Sequence, residues 1–270
     1  SRLKDLNNGK APWNKDKGLV VRGYRSSIDG SAQPYGLEIP EDLDLGQPVP
    51  LYVWLHGRGD KTTDLHFIDQ RLKRKGRIAP AHAIVVHPFG RHCMGFKSAG
   101  EIDVLEVVQE VSRRYNIDRE RVILMGFSMG GAGAWHVGAH YADQWAAVAP
   151  GAGFAETKEY NKMTPDTYPE PYVQKLWGLY DIPGYARNLF NLPVVAYSGE
   201  NDKQIQAAEI MERAFETEGE KLLHLIGPGM GHSYHPDTLK EIMNHMLAAS
   251  ISGRPNMPKR VHMQTQTLRY

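Results

Sequence analysis

The stretch that decides the fold is Arg121-Val122-Ile123-Leu124-Met125-Gly126-Phe127-Ser128-Met129-Gly130-Gly131. Four consecutive apolar residues run into G-x-S-x-G, and the small residues Gly131, Ala132, Gly133 and Ala134 follow in a helix-compatible run. A buried strand that turns into a helix over a serine is the nucleophile elbow of an α/β sheet. The turn is sharp, so glycines two positions to either side let strand and helix approach without a Cβ clash. The first helical turn then aims unpaired N–H groups at the serine, which favours a developing oxyanion. Gly131 and Gly133 complete no G-x-G-x-x-G, so a dinucleotide site is not indicated.

Outward from the elbow the chain alternates. Short apolar runs at Leu51–His56, Ala83–His87, Val122–Met125, Trp145–Ala149, Val194–Tyr197 and Leu222–Ile226 read as strands buried on both faces of a parallel sheet. Between them, Glu101–Tyr115 places Val104, Val107, Val108, Val111 and Tyr115 on one helical stripe. Ile205–Phe215 and Leu239–Leu247 behave alike. Val20–Ile28 and Tyr35–Ile39 suit leading antiparallel edge strands. The pattern predicts an α/β architecture: a mostly parallel central sheet covered by helices on both faces.

Two segments break the rhythm. Residues 154–191, between the sixth and seventh core strands, hold Phe154, Tyr160, Tyr168, Tyr172, Trp177, Tyr180, Tyr185 and Phe190. So aromatic an insertion is not disordered, and it reads either as a lid whose rings stack on substrate or as a second apolar cluster. Trp177 and Tyr180 are its candidate substrate contacts. Residues 253–270 end in an alternating pattern, Val261 to Tyr270, as the first strand of a further domain would. Residues 1–18 are polar and read as an arm or linker, which leaves 19–252 as the catalytic domain. Ser1 opens the chain as a mid-chain residue would, so location is not inferred from a leader.

Composition closes off other classes. Of 270 residues, 41% are hydrophobic and 23% charged, enough for one large domain. Lys+Arg 32 against Asp+Glu 31 gives a formal net charge of +1, which favours neither nucleic acid nor an anionic membrane as partner. The basic run Arg71, Lys73, Arg74, Lys75 and Arg77 reads as a solvated helix face. The single cysteine, Cys93, allows no internal disulfide and no thiolate zinc site.

A serine hydroxyl needs a base to take its proton and an acid to orient that base. In this fold they follow the serine in the order acid, then histidine. After Val194–Tyr197 comes Ser198-Gly199-Glu200-Asn201-Asp202, where Asp202 is the candidate acid and Glu200 the alternative. After Leu222–Ile226 comes a glycine loop with His232, the candidate base, and His235, which more simply braces the loop. His56-Gly57-Arg58 ends a strand and offers the N–H of Arg58 to an oxyanion, beside the N–H of Met129. Arg91 and His92, in a loop at a strand's C-terminal end, are further substrate-contact candidates. His136 and His140 stand at i, i+4 without the glutamate of a zinc protease and read as helix-packing residues. Glu101 and Asp103 read as N-terminal helix caps. Arg58-Gly59-Asp60 spells an adhesion tripeptide by coincidence. No metal or organic cofactor is required by this chemistry.

Taken in order, Leu55-His-Gly-Arg58, Ile117-Asp-Arg-Glu-Arg-Val122, Gly126-Phe-Ser-Met-Gly-Gly131, Trp145-Ala-Ala-Val-Ala-Pro150, Ser198-Gly-Glu-Asn-Asp202 and Gly231-His232 resemble the prolyl-oligopeptidase-like α/β-hydrolases. The resemblance spans roughly residues 20–250. It is closest to the esterase branch, alongside polyhydroxybutyrate depolymerase-like, feruloyl and acetyl xylan esterases. It implies an α/β-hydrolase fold and a serine carboxylester hydrolase acting on small-molecule or polysaccharide esters of acetyl or feruloyl type. It also implies a secreted or periplasmic setting within a larger multidomain chain. The rival readings are a serine peptidase on the same fold and a catalytically idle binding module.

Overall fold

The computed structural model describes residues 2–9, 15–60, 63–256 and 259–267. Within the first and last segments discussed above, Ser1 and residues 10–14, 257–258 and 268–270 lie outside that description. The strands are Gly18–Arg25 (β1), Ala32–Ile39 (β2), Val49–Leu55 (β3), Ile84–Pro88 (β4), Ile117–Phe127 (β5), Ala147–Gly151 (β6), Val195–Gly199 (β7) and Leu223–Gly227 (β8). They form one sheet in the order β1-β2-β4-β3-β5-β6-β7-β8. β1 pairs antiparallel with β2, and β2 with β4, while every later pairing is parallel. This is the α/β-hydrolase arrangement, and it puts the C-terminal ends of β3, β5, β7 and β8 along one edge.

The helices are Arg2–Asn7 (α1), Asp64–Lys73 (α2), Ala99–Arg114 (α3), Met129–His140 (α4), Thr157–Tyr160 (α5), Pro171–Trp177 (α6), Ile205–Thr217 (α7) and Pro236–Ser252 (α8). α3, α4 and α7 bury Val104, Val107, Val111, Trp135 and Met211 on one face of the sheet. α8 buries Ile242, Met246 and Ala249 against Tyr52, Trp54 and Ile123 on the other. The valine stripe of α3 is fully buried, and each such side chain contributes about 1.5–3 kcal/mol. Among the described residues, no helix is long and apolar enough to cross a membrane.

Several sequence expectations are corrected. β8 is an edge strand with Leu223 and Ile226 exposed, because nothing pairs beyond it. β5 begins at Ile117, earlier than the apolar run, because Val49 pairs with Ile117 ahead of a register shift. β6 starts two residues late, since Trp145 turns inward and donates its indole N–H to Val137 O at 3.2 Å. Glu101 and Asp103 do not cap α3: both are fully buried. Glu101 meets His140 Nδ1 at 2.6 Å. Asp103 accepts from the Tyr24 hydroxyl and, at 2.6 Å, from the Gly90 N–H. Their partners come from α4, β1 and the loop after β4, which no local pattern reveals. The basic run is not one helix face either, since α2 ends at Lys73 and Arg74 is already extended.

The insertion folds into α5, α6 and 3-10 turns at Pro165–Thr167 and Pro183–Asn191. The described tail packs back on it rather than forming a strand. Asn191 takes both backbone groups of His262 (2.7 and 3.1 Å), and Asn188 both of Gln264 (3.0 and 2.7 Å).

His136, fully buried in α4, bonds Phe96 O through Nε2 at 2.8 Å, and burial holds its pKa down at about 4. The folded state therefore binds fewer protons here, and stability is lost as pH falls from about 6.5 toward 4. Asp103 and Asp181 act oppositely: burial pushes both up to about 6, so their contribution is lost as pH rises toward that value. His136→Gln keeps a donor for Phe96 O and removes only the titration. Its melting-temperature deficit against wild type should shrink between about pH 7 and about pH 4.5 by calorimetry; a deficit that holds constant contradicts this account.

Candidate active site

Ser128 sits between β5 and α4 at φ 59, ψ −120, a left-handed conformation that costs a non-glycine residue about 1–3 kcal/mol. Close packing enforces it. A Cβ on Gly126 would lie 2.1 Å from Gly130 O, and one on Gly130 would lie 1.9 Å from Leu55 O at the end of β3. The Ser128 N–H donates to Gly151 O at 2.9 Å, tying the turn to the end of β6.

Asp202 and His232 meet beside this turn, with His232 Nδ1 2.7 Å from Asp202 Oδ2. The Asp202 side chain is 4% exposed and that of His232 41%, so a buried carboxylate holds a reachable imidazole. Placing the proton on Nδ1, toward the carboxylate, leaves Nε2 as the acceptor. Asp202 Oδ1 also takes the Gln204 N–H at 3.0 Å, so the residue caps its own turn as well as binding the histidine. Glu200 points elsewhere, accepting the Gly229 N–H at 2.6 Å and bracing the histidine loop. The two loops are zipped at Glu200 N to Gly227 O (3.0 Å) and Asn201 N to Met230 O (2.8 Å). A Cβ on Gly199 would strike Gly231 O at 2.1 Å, so this closeness depends on glycine. Among the described residues, no hydrogen bond yet joins Ser128 Oγ to His232; such contacts often tighten only when substrate is bound.

The loop after β3 lies against the nucleophile: a side chain at Gly57 would stand 3.8 Å from Ser128 Cβ. Gly59 N–H donates to Cys93 Sγ at 3.2 Å. No described hydrogen bond uses the N–H of Arg58 or of Met129, so both remain open to an oxyanion. The Arg58 side chain turns outward to Asp60.

The four substrate-contact candidates are dispersed. Arg91 is a correction: it forks onto Asp29 at 2.8 and 3.3 Å, because its loop turns it toward the β1–β2 hairpin. His92 is exposed and lines a separate hollow with Gln33 and Asp64. Trp177 packs edge-on to Tyr168 at 6.2 Å in a hollow within the insertion. Tyr180 bonds Ser98 through its hydroxyl (2.7 Å from N, 2.8 Å from Oγ) and stands edge-on to His136 at 5.4 Å. Lys97 lies over both Tyr180 and Phe154, at 5.1 and 4.7 Å.

Sequence reasoning missed the residues beneath the histidine. The Tyr197 hydroxyl donates to Ser233 O and accepts the His235 N–H, both at 2.8 Å, so it anchors the loop from β7. Tyr234 is buried between Tyr197 (4.4 Å) and Phe127 (4.7 Å), and the Phe127 ring meets His232 at 4.9 Å. Tyr197 reads from the sequence as one more core aromatic, because its partners lie 36 and more residues away. His235 stays out of the acid–base pair, as the first residue before α8.

A serine at a strained strand-to-helix turn, on this sheet, with a carboxylate-held histidine alongside, defines a serine hydrolase of the α/β-hydrolase fold. The signature of the prolyl oligopeptidase family matches residues 96–248, more than half of the chain, and the chain belongs to that family. Over 50 residues it is 42% identical to a bifunctional acetylxylan esterase/xylanase of Neocallimastix patriciarum, a match covering 18% of this chain and 8% of that protein. The fold is shared with a fluorophosphonate-binding serine hydrolase of Staphylococcus aureus (TM-score 0.63, 16% identity, 87% of this chain and 99% of that one). A putative dipeptidyl aminopeptidase IV of Bacteroides ovatus is similar (TM-score 0.64, 13% identity, 90% of this chain). The chain spans 37% of that protein's length.

The geometry distinguishes the two acids. Asp202→Asn should lower hydrolysis by roughly 10⁴-fold through loss of the imidazole tautomer. Glu200→Gln, which can still accept the Gly229 N–H, should cost at least about a hundredfold less. Equal losses in steady-state assays would count against Asp202 as the orienting acid.

Proposed function

We propose that this chain is a carboxylester hydrolase that works through an acyl-enzyme on Ser128 and acts on carbohydrate-linked esters of acetyl or feruloyl type. The observation that carries the reading is the 2.7 Å bond between His232 Nδ1 and Asp202 beside the strained Ser128 turn. In this reaction His232 Nε2 takes the Ser128 proton as Oγ attacks the ester carbonyl. Asp202 stays ionised and steadies the imidazolium. The N–H groups of Arg58 and Met129 hold the oxyanion, each worth about 3 kcal/mol of barrier. Collapse expels the alcohol, which takes its proton from His232, and water then enters by the same route to release the acid. The carbohydrate ester is supported by the identity with the acetylxylan esterase/xylanase. The aromatic insertion between β6 and β7 supplies rings of the kind that stack on sugars.

Peptide hydrolysis is the competing reaction, favoured by the family to which the chain belongs. A fluorophosphonate should label the wild type and not Ser128→Ala; equal labelling of both would remove Ser128 from the mechanism. Acetylated and feruloylated saccharides should be hydrolysed with kcat/KM at least about a hundredfold above matched peptide amides. Comparable turnover of the amides would replace the esterase reading with the peptidase one.

A further inference from the structure

Beside the oxyanion loop lies an open cleft of about 710 Å³, walled by Gly57, Phe127 and Trp54 on one side and by the end of α2 and residues 75–77 on the other. A Cβ on Gly57, one of its wall residues, would stand 3.8 Å from Ser128 Cβ, so the cleft adjoins the serine. It also lies on the histidine's side of the site. The ring of Phe127, a wall residue, meets the His232 ring at 4.9 Å. His232 hands its proton to the departing alcohol, so this side belongs to the alcohol portion of an ester.

The cleft is lined by cations. Arg58, Arg71, Lys75 and Arg77 line it, Arg58 being paired with Asp60, and among the described residues no carboxylate lines it. Arg71 is held there by construction. Its stem crosses β2 where Gly36 leaves room, since a Cβ at that position would stand 2.7 Å from Arg71 Cγ. Its guanidinium donates to His87 Nδ1 at 3.4 Å, and His87 Nε2 donates to Glu38 at 2.9 Å. Glu38 also accepts the Gly76 N–H, which fixes Lys75 and Arg77 to either side of that anchor. Arg71 Nε is buried without a hydrogen-bond partner. Glu38, behind the wall, is taken up by His87 and the Gly76 N–H. Among the described residues neither Lys75 nor Arg77 has an ion-pair partner.

We propose that this cleft receives the alcohol portion of an ester that itself bears a carboxylate, as an acidic sugar does, and that Lys75 and Arg77, backed by Arg71, select it by charge. The inference rests on the ester-hydrolysis reading and narrows its substrate. It also reassigns the basic run that the sequence presents as a solvated helix face.

The test compares acetylated glucuronic acid with acetylated glucose, acetate release being followed for wild type and for Lys75→Gln/Arg77→Gln. Both substituted residues are solvent-exposed, so the fold is retained. The readout is the ratio of the two kcat/KM values, in which a general loss of activity cancels. Wild type should favour the charged ester by about tenfold or more at low salt, mainly through KM. That ratio should fall toward one in the double variant and in high salt. A wild-type ratio of one, or a ratio unchanged by the substitutions, overturns the inference while leaving ester hydrolysis standing. If neither ester is hydrolysed, the esterase reading is left to the feruloylated saccharides and the fluorophosphonate label, and calorimetry with glucuronate and glucose decides the cleft on its own. Binding of glucuronate that the double variant loses supports it, and no binding overturns it.

Discussion

At the turn carrying Ser128 three backbones come within contact of one another. β5 enters through Gly126, α4 leaves through Gly130, and the end of β3 presses on Gly130 through the Leu55 carbonyl, with no room for a Cβ at either glycine. Ser128 absorbs the geometry as a positive φ. Because the same contact joins β3 to α4, it sets the loop at Gly57 against the serine and leaves the first N–H of α4 facing it. The strain and the site are therefore one feature: relaxing the turn would withdraw both the hydroxyl and the backbone donors beside it.

Asp202 and His232 are placed by a second close approach, Gly199 against Gly231, at the neighbouring edge of the sheet. Beneath it, Tyr197, Tyr234 and Phe127 make a stack that ends on the His232 ring. The loop bearing His232 is rich in glycine, and such a loop would not by itself hold an imidazole. Its orientation comes instead from the Tyr197 hydroxyl, the Glu200 carboxylate and the stack. The loop after β4 is strained in a comparable way. Gly90, Arg91, His92, Gly95, Phe96 and Ser98 all have positive φ. Buried Asp103 holds it at Gly90, and Cys93 joins it to the loop after β3 at Gly59.

What could be read from the sequence was whatever local pattern encodes. Buried strands and the stripe of α3 follow from hydrophobic periodicity, and the elbow follows from glycine spacing. The loops holding Asp202 and His232 could be located because each follows an apolar run. What could not be read was pairing between distant elements. Glu101 and Asp103 resemble caps because their partners, His140 and Tyr24, arrive from α4 and β1. Arg91 resembles a substrate contact until the β1–β2 hairpin brings Asp29 against it. Val261 to Gln264 alternate like a strand, yet the backbone groups of His262 and Gln264 are met by the side-chain amides of Asn191 and Asn188 instead of a neighbouring strand.

The cleft shows the same limit in its charge. A formal net charge of +1 suggests an electrostatically neutral surface, but a net value says nothing about where the acids have gone. In the folded chain Asp29 faces Arg91, Asp118 faces Arg121, Glu120 faces Arg254, Glu159 faces Arg213 and Glu218 faces Arg187. These pairs neutralise other parts of the surface. Glu38 is drawn behind the cleft wall by His87 and the Gly76 N–H. Arg71, Lys75 and Arg77 are left lining the cleft beside Gly57 and Phe127. A balanced composition thus yields a local positive field next to the Ser128 turn, because the neutralising carboxylates are spent in pairs elsewhere on the surface.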